Sequence, residues 1–281
     1  MLSSSDLASY LHRIGWTGAA PRADLASLQR LIALHTAAIA FENLTPWTGQ
    51  PVRLAREALL DKLVHQQRGG YCFEHNGLFL AALETLGFRA ERLAARVLWG
   101  LAEPVPTPRT HRLLRVVIDG EVWLADVGFG GLTMTAAIRL VPDLAQPTPL
   151  ERFRLQHHPD DMLGDWHLQA EIAGARTPEW RTLYRFTLAP QDALDDEMAS
   201  HFTATHPASR FVLNLVAARA LPDRRLALLN RELRVHRRGQ ESELHVLADA
   251  AALRQRLVDD FGLRLPTDPG LDERLAGLFD A

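Results

Sequence analysis

The stretch RLLRVVIDGEVWLADV, residues 112–127, constrains the fold more than any other part of the chain. Two apolar runs meet at Asp119-Gly120, a dipeptide that tolerates the positive φ angles of a two-residue hairpin turn. Such a turn sets Ile118 opposite Glu121. Counting back from it sets Leu113 opposite Asp126 and His111 opposite Gly128. Cross-strand partners share a face of the sheet, as do alternate residues of one strand. His111 and Asp126 therefore leave the same face as diagonal neighbours, at the ~7–8 Å spacing that an imidazole and a carboxylate can bridge. A slip of one residue would put them on opposite faces. The same face carries Leu113, Val117, Val122 and Leu124, which marks it as buried, and a buried carboxylate requires a donor. His111 is the nearest one. An ordinary ion pair at a sheet edge would satisfy the same pattern.

Around this hairpin the periodicity changes twice. The first 90 residues read as helical: Leu25, Leu28, Leu31, Ile32 and His35 share one face, as do Leu54, Ala58, Lys62 and Leu63. Phe79, Leu83 and Leu86 continue that spacing, and Gly87 stands where a left-handed stop belongs. From about Arg89 to Leu188 the pattern shortens to strands, including WHLQAEI and WRTLYRFTL, with Pro-rich loops PVPTPRT and VPDLAQPTPL on either side of the hairpin. Beyond about Gln191 the chain mixes FVLNLVAAR, RLALLN and ELRVHRR with a helix over AALRQRLVDDFG. Helices, then strands, then a mixed tail predict an α+β fold rather than alternating βαβ units.

At 281 residues, 47% of them hydrophobic, the chain can bury a sizeable core without metals or disulfides. A net charge of −3 gives no bulk attraction to nucleic acid or anionic lipid. No apolar run is long enough to span a membrane, and MLSSSDLASY lacks the basic and apolar regions of a signal peptide. The lone cysteine cannot form an internal disulfide, which fits a reducing compartment. A soluble cytoplasmic protein is expected, with neither nucleic acid nor membrane as partner.

That cysteine, Cys72, stands in RGGYCFEHNGLF, behind Gly69 and Gly70 and at the start of a helical pattern. The unpaired N–H groups and positive dipole end of a helix favour a thiolate. The glycines permit a tight turn and close approach by a ligand. A lone cysteine is also commonly a small buried hydrophobe. A nucleophilic thiol needs a base, and the base needs an orienting group. His111 and Asp126 form such a pair, although nothing in the sequence alone brings Cys72 to it. HHPDD, residues 157–161, places its histidines side by side rather than at i, i+4, and reads as a turn and not a metal site. ELRVHRR reads as a solvated basic strand, with a coenzyme phosphate contact as the alternative.

RGGYCFEHNGLF, THRLLRV and LADVGFGG, in this order, resemble the arylamine N-acetyltransferases, as do IAFENL, YLHRIGWTG and ATHPASRF. The family usually reads IPFENL, so Ala40 replaces a proline, a change of backbone stiffness and not of chemistry. The resemblance runs from about Tyr10 to Phe211. It implies a catalytic triad of Cys72, His111 and Asp126 on a papain-like cysteine core. It also implies three parts: an N-terminal helical bundle carrying the nucleophile (1–90), a central β-barrel carrying the histidine and aspartate (91–195), and a C-terminal α/β lid (196–281). Glu42 and Arg68 resemble a pair that braces the triad, a surface salt bridge being the alternative. Phe41, Val97, Thr110, Phe129 and Phe202 resemble amine-pocket positions, core packing being the alternative.

By the same resemblance Thr107 and Gly130 are cofactor-binding positions, and Gly128, Gly130 and Gly131 let a thioester approach the sheet. GFGG lacks the spacing of a dinucleotide fingerprint. The implied reaction is N-acetylation of arylamines, arylhydrazines or N-hydroxyarylamines in xenobiotic metabolism. It runs by a ping-pong acetyl-cysteine mechanism, with acetyl-CoA as donor and no metal. A macrolactam-forming amide synthase, a cysteine peptidase or transglutaminase, and a binding protein with a vestigial site are the competing readings.

Overall fold

The computed structural model describes residues 1–101, 106–172 and 178–280. Part of the Pro-rich loop PVPTPRT therefore lies outside the described residues. Helices dominate the first part of the chain: α1 (Ser4–Arg13), α2 (Leu25–Ala38), the single turn α3 (Leu44–Trp47), α4 (Arg56–Leu60) and α5 (Cys72–Thr85), with a short strand β1 (Phe41–Glu42) between α2 and α3. Side-chain oxygens start the first two helices. Ser3 accepts from the Asp6 N–H at 3.1 Å and Asp24 from the Ser27 N–H at 2.8 Å, each satisfying an otherwise orphaned donor. Leu28, Leu31, Ile32 and His35 are buried on α2, as the spacing predicts. The second predicted face is displaced. Helix α4 widens into a π turn over Asp61–His65, and the buried residues there are Leu59, Leu60, Leu63 and Val64 rather than Leu54, Ala58 and Lys62. The wider i→i+5 turn rotates the helix face away from a 3.6-residue count.

An eight-stranded antiparallel sheet follows, in the order β5-β4-β3-β2-β9-β8-β7-β6, built from β2 (Arg89–Val97), β3 (Arg109–Ile118), β4 (Glu121–Ala125), β5 (Ile138–Arg139), β6 (Gln146–Pro147), β7 (Arg152–His157), β8 (Trp166–Ile172) and β9 (Glu179–Phe186). Its two edges meet through one side chain. Gln146 accepts from the Arg139 N–H at 2.7 Å and donates to the Arg139 carbonyl at 2.9 Å, so the β6 side chain satisfies the edge groups of Arg139 on β5 and the sheet closes barrel-like. Leu93, Leu113, Leu124, Phe153, Leu168 and Phe186 fill its interior. The outward face of β3 is also buried: Leu114, Val116 and Ile118 pack on α2 and α5. This double burial explains the near-continuous apolar run in RLLRVVI.

Helix α6 (Ala193–Thr205) and the short α7 (Arg210–Leu213) lead into a second sheet of β10 (Val216–Ala220), β11 (Arg224–Leu229), β12 (Glu232–Arg237) and β13 (Glu243–Val246), backed by α8 (Ala250–Asp259) and α9 (Pro269–Gly277). Leu253, Leu257, Leu271 and Leu275 from these helices pack on its inner face. The sheet takes its first strand from the other end of the chain, β1 pairing with β10 through Phe41↔Ala218 and Glu42↔Ala217. Helix α6 runs across position 195/196 rather than starting a new unit there.

Candidate active site

The two glycines before Cys72 serve the chain itself. A Cβ on Gly69 would lie 2.1 Å from the Ala40 carbonyl oxygen, and one on Gly70 would lie 2.7 Å from Glu74 Oε2. Neither has a positive φ. They let residues 69–70 pass against β1, where the Glu42 N–H donates to the Gly70 carbonyl at 2.8 Å. The expected approach by a ligand is corrected to close approaches within the chain, by Ala40 and Glu42 at Gly69 and by the Glu74 side chain at Gly70. Glu74 then accepts from the Tyr71 N–H at 3.0 Å and starts α5 with Cys72 as its first residue. Cys72 is buried at 3% exposure, with its Sγ 3.6 Å from the Thr110 carbonyl.

The hairpin has the register its turn predicts. Asp119 and Gly120 take φ of 51° and 80°, Ile118 pairs with Glu121, and the ladder runs to Leu114↔Ala125. Asp126 follows directly, and His111 Nε2 donates to its Oδ2 at 2.7 Å. The carboxylate has three further donors: Tyr184 Oη at 3.0 Å, Asn76 Nδ2 at 3.0 Å and the Gly128 N–H at 3.0 Å. Burial favours the neutral carboxyl, but His111, Asn76 and the Gly128 N–H together hold Asp126 below its ordinary range. Burial pushes the Tyr184 phenol up, so it stays a donor. Nε2 is committed to Asp126, which leaves Nδ1 of His111 for the thiol, and Cys72 and His111 line the same cleft. Burial disfavours the imidazolium, yet Asp126, and after it Cys72, outweigh that effect and raise His111 to about 10.

Thiol, imidazole and carboxylate thus converge from α5, β3 and the end of β4. A raised histidine stabilises the fold fully below its unfolded value of 6.5, and the contribution is lost as pH climbs towards about 10. The gap in Tm between the wild type and His111→Gln should therefore shrink from pH 7 to pH 10. A gap constant with pH contradicts the pairing.

A family model described as N-acetyltransferase matches residues 24–269. The chain is 44% identical over 282 residues to an arylamine N-acetyltransferase of Mycolicibacterium smegmatis, covering 98% of each chain. It is 40% identical over 255 residues to the Escherichia coli arylamine N-acetyltransferase, covering 90% of this chain and 87% of that one. The solved structure of the Mycobacterium marinum arylamine N-acetyltransferase in complex with CoA matches with a TM-score of 0.90 at 43% identity, over 97% of this chain and 99% of that one. This chain belongs to the arylamine N-acetyltransferase family.

The positions transferred by family resemblance fall into two groups. Phe41, Val97, Thr110, Phe129, Phe202, Thr107 and Gly130 all line one cleft of about 1060 Å³ with Cys72 and His111 at its wall. Phe129 meets the His111 ring edge-on at 5.2 Å and also packs against the barrel core, whereas Phe202 is 41% exposed. Glu42 and Arg68 lie outside the cleft. Glu42 is 1% exposed, which corrects the surface alternative. Its Oε2 accepts from the Leu44 N–H at 2.5 Å, and Arg68 Nη2 and Lys62 Nζ stand 3.7 and 4.0 Å from its Oε1. This cluster fixes β1 beside Gly69 and Gly70.

Gly128 departs from its expected role. A Cβ there would lie 2.9 Å from Cys72 Cα and 2.9 Å from Asn76 Nδ2, so the glycine admits helix α5, not a thioester. Gly128→Ala should push the helix start off the strand, costing about 1–3 kcal/mol by overpacking and slowing turnover. Thermal melting and steady-state rates check this, and unchanged values contradict the contact. Gly130 is left-handed at φ 87°, with the Phe41 ring 3.6 Å from the would-be Cβ, and Gly131 has only Ala227 nearby.

Tyr184 and Asn76 were not singled out by their sequence pattern. Asn76 stands one helical turn after Cys72, and its Oδ1 also accepts from the Val127 N–H at 3.1 Å. Tyr184 alternates with the other inward residues of β9. Beneath the site, Tyr10 Oη, His35 and His75 form a buried chain ending at the Ala40 carbonyl, with steps of 2.9, 2.9 and 3.2 Å. The carbonyl can only accept, so each imidazole carries its proton on Nε2, and burial keeps both rings neutral, His75 down at about 4. In HHPDD, His157 ends β7, and Asp161 accepts from Arg185 at 3.0 Å and His167 at 3.1 Å.

Proposed function

We propose that this chain transfers an acetyl group from acetyl-CoA to arylamines, arylhydrazines or N-hydroxyarylamines through an acetyl-Cys72 intermediate. The observation that carries this reading is Cys72 and His111 together at the wall of a cleft of about 1060 Å³, with the buried Asp126 hydrogen-bonded behind the imidazole. The names of the relatives agree with it: the bacterial relatives are arylamine N-acetyltransferases, and that of Salmonella typhimurium is also named an N-hydroxyarylamine O-acetyltransferase.

With His111 raised to about 10, its Nδ1 already holds the proton given up by the thiol near neutral pH, while Asp126 accepts from Nε2–H and stabilises the imidazolium. Cys72 Sγ bonds to the acetyl carbon, and the carbon–sulfur bond to coenzyme A breaks. His111 returns the proton to the departing thiolate. Thioester is exchanged for thioester, so the step is nearly balanced in energy and reversible. An arylamine is largely unprotonated near neutral pH. Its nitrogen bonds to the acetyl carbon, the bond to Cys72 Sγ breaks, and His111 carries a proton from nitrogen to sulfur. The Cys72 N–H, first in helix α5, faces no helical acceptor and is the donor we assign to the oxyanion.

Phe41, Phe129 and Phe202 offer faces for an aromatic amine, and Val97 and Thr110 complete that side. The same cleft is also lined by Arg210, Arg234, Arg237 and Arg238. Among the described residues Arg210 and Arg238 have no carboxylate partner, which suits the coenzyme's phosphates. This favours the phosphate reading of the ELRVHRR strand, and Thr107 and Gly130 line the same cleft. No helix of the described residues is long and apolar enough to cross a membrane. A cytoplasmic setting and a role in xenobiotic metabolism are part of this proposal, the former supported by the single reduced thiol.

Initial rates with acetyl-CoA and a simple arylamine such as 4-aminobenzoate test the reading. Parallel double-reciprocal lines, with one equivalent of CoA released before any amine is added, are expected for a two-step transfer. Intersecting lines, or turnover without coenzyme A, contradict it.

A further inference from the structure

The residue after His111 faces the other way. Arg112 leaves the opposite side of β3 and is buried at 4% exposure. Its Nη1 donates to the carbonyl of Phe73, the residue after Cys72, at 2.9 Å. Its Nη2 pairs with Asp196 on α6, to which Arg92 Nε also comes within 3.3 Å. The Arg112 carbonyl accepts from Asn76 Nδ2 at 2.6 Å, and that same amide donates to Asp126. Gly77, in the motif EHNGLF, makes room for it: a Cβ there would lie 2.8 Å from Arg112 Nη1. One residue therefore ties together the neighbour of the thiol, the neighbour of the imidazole and the amide that holds the carboxylate.

A buried ion pair is a poor device for stability alone, because removing two charges from water costs about as much as their attraction returns. What this pair supplies is geometry. A planar guanidinium offers donors in fixed directions, and a two-pronged contact fixes orientation as well as distance. The cleft wall continues along α6 to Phe202 and Thr203, so the same helix that receives Arg112 also borders substrate.

We propose that the Arg112–Asp196 pair positions the nucleophile: the guanidinium pins the start of α5, bearing Cys72, to the strand bearing His111, and anchors both to α6. The inference rests on the reading of Cys72 as nucleophile and His111 as its base. Arg112 touches no reacting atom. Its charge also interacts favourably with that of Cys72, which adds to the geometric role.

The test compares wild type, Arg112→Lys, the double variant Arg112→Gln/Asp196→Asn, and His111→Gln. Three properties are read: single-turnover acetylation by acetyl-CoA, the pH profile of Cys72 alkylation by iodoacetamide, and Tm. The double variant removes both buried charges together and should melt within a few degrees of wild type, yet acetylate and alkylate about 10- to 100-fold more slowly, the scale of a small misplacement of reacting groups. Arg112→Lys keeps the charge but not the fork, and should fall between the two with a displaced alkylation profile. Should the double variant not fold, Arg112→Lys decides alone. Folded variants with rates within about twofold of wild type and an unshifted pH profile overturn the proposal while His111→Gln remains slow. If His111→Gln itself alkylates like wild type, the nucleophile–base reading fails first, and the positioning role with it.

Discussion

Asp126→Asn should lower turnover by about 10³–10⁴-fold, the scale at which a catalytic imidazole loses its orienting carboxylate. The carboxylate accepts four hydrogen bonds, from His111 Nε2, Tyr184 Oη, Asn76 Nδ2 and the Gly128 N–H. An amide can accept through only one of its two atoms. Whichever way it turns, its NH₂ meets donors, at a cost of about 1–3 kcal/mol for the buried group left unpaired. The charge effect is larger for chemistry. Burial disfavours the His111 imidazolium, and Asp126 is the foremost influence that overcomes it. Without that charge, burial should prevail and His111 should titrate far below about 10. An NMR titration of the His111 ring in the variant checks this. A His111 still protonated at pH 9, or turnover within tenfold of wild type, contradicts the assigned role.

Cys72→Ala should abolish acetyl transfer to the level of the uncatalysed reaction. The chain has one cysteine, so no second thiol can stand in for it. The fold should survive, because the change removes one sulfur from the first turn of α5, and Glu74 still caps the helix through the Tyr71 N–H. The variant should retain binding of coenzyme A, since Arg210, Arg234, Arg237 and Arg238 are untouched. Loss of turnover with binding kept separates chemistry from recognition, and isothermal calorimetry beside a rate assay measures both. Retained turnover would remove Cys72 from the nucleophile's role.

The His111–Asp126 pair was legible because local chemistry fixes its pieces. Asp119-Gly120 admits one turn type, and with it one register, and His111 and Asp126 follow from counting along β3 and β4. Cys72 at a helix start follows from the change in periodicity after Gly70. What brings α5 against β3 is not local: Gly128, Gly77 and the Arg112 guanidinium act across long stretches of chain. Helix α6 was invisible to an apolar pattern because the residues it buries are Asp196, Ser200, Thr203 and Ala204. Asp192 and Asp195 cap its start, and its burial rests on Arg112 and on the Tyr71 Oη contact to Ser200 Oγ at 2.5 Å, neither of which periodicity can report. Strand β1 is likewise two residues long, and pairs with β10 from the far end of the chain. The burial of Glu42 follows from that pairing and from Lys62 and Arg68 closing around it.

Intact-mass and peptide mass spectrometry after mixing with acetyl-CoA tests the central claim most directly. The account predicts an adduct of about 42 Da, one acetyl group, on the peptide containing Cys72, discharged when an arylamine is added. Absence of that adduct while the enzyme turns over, or its placement on any other residue, contradicts it.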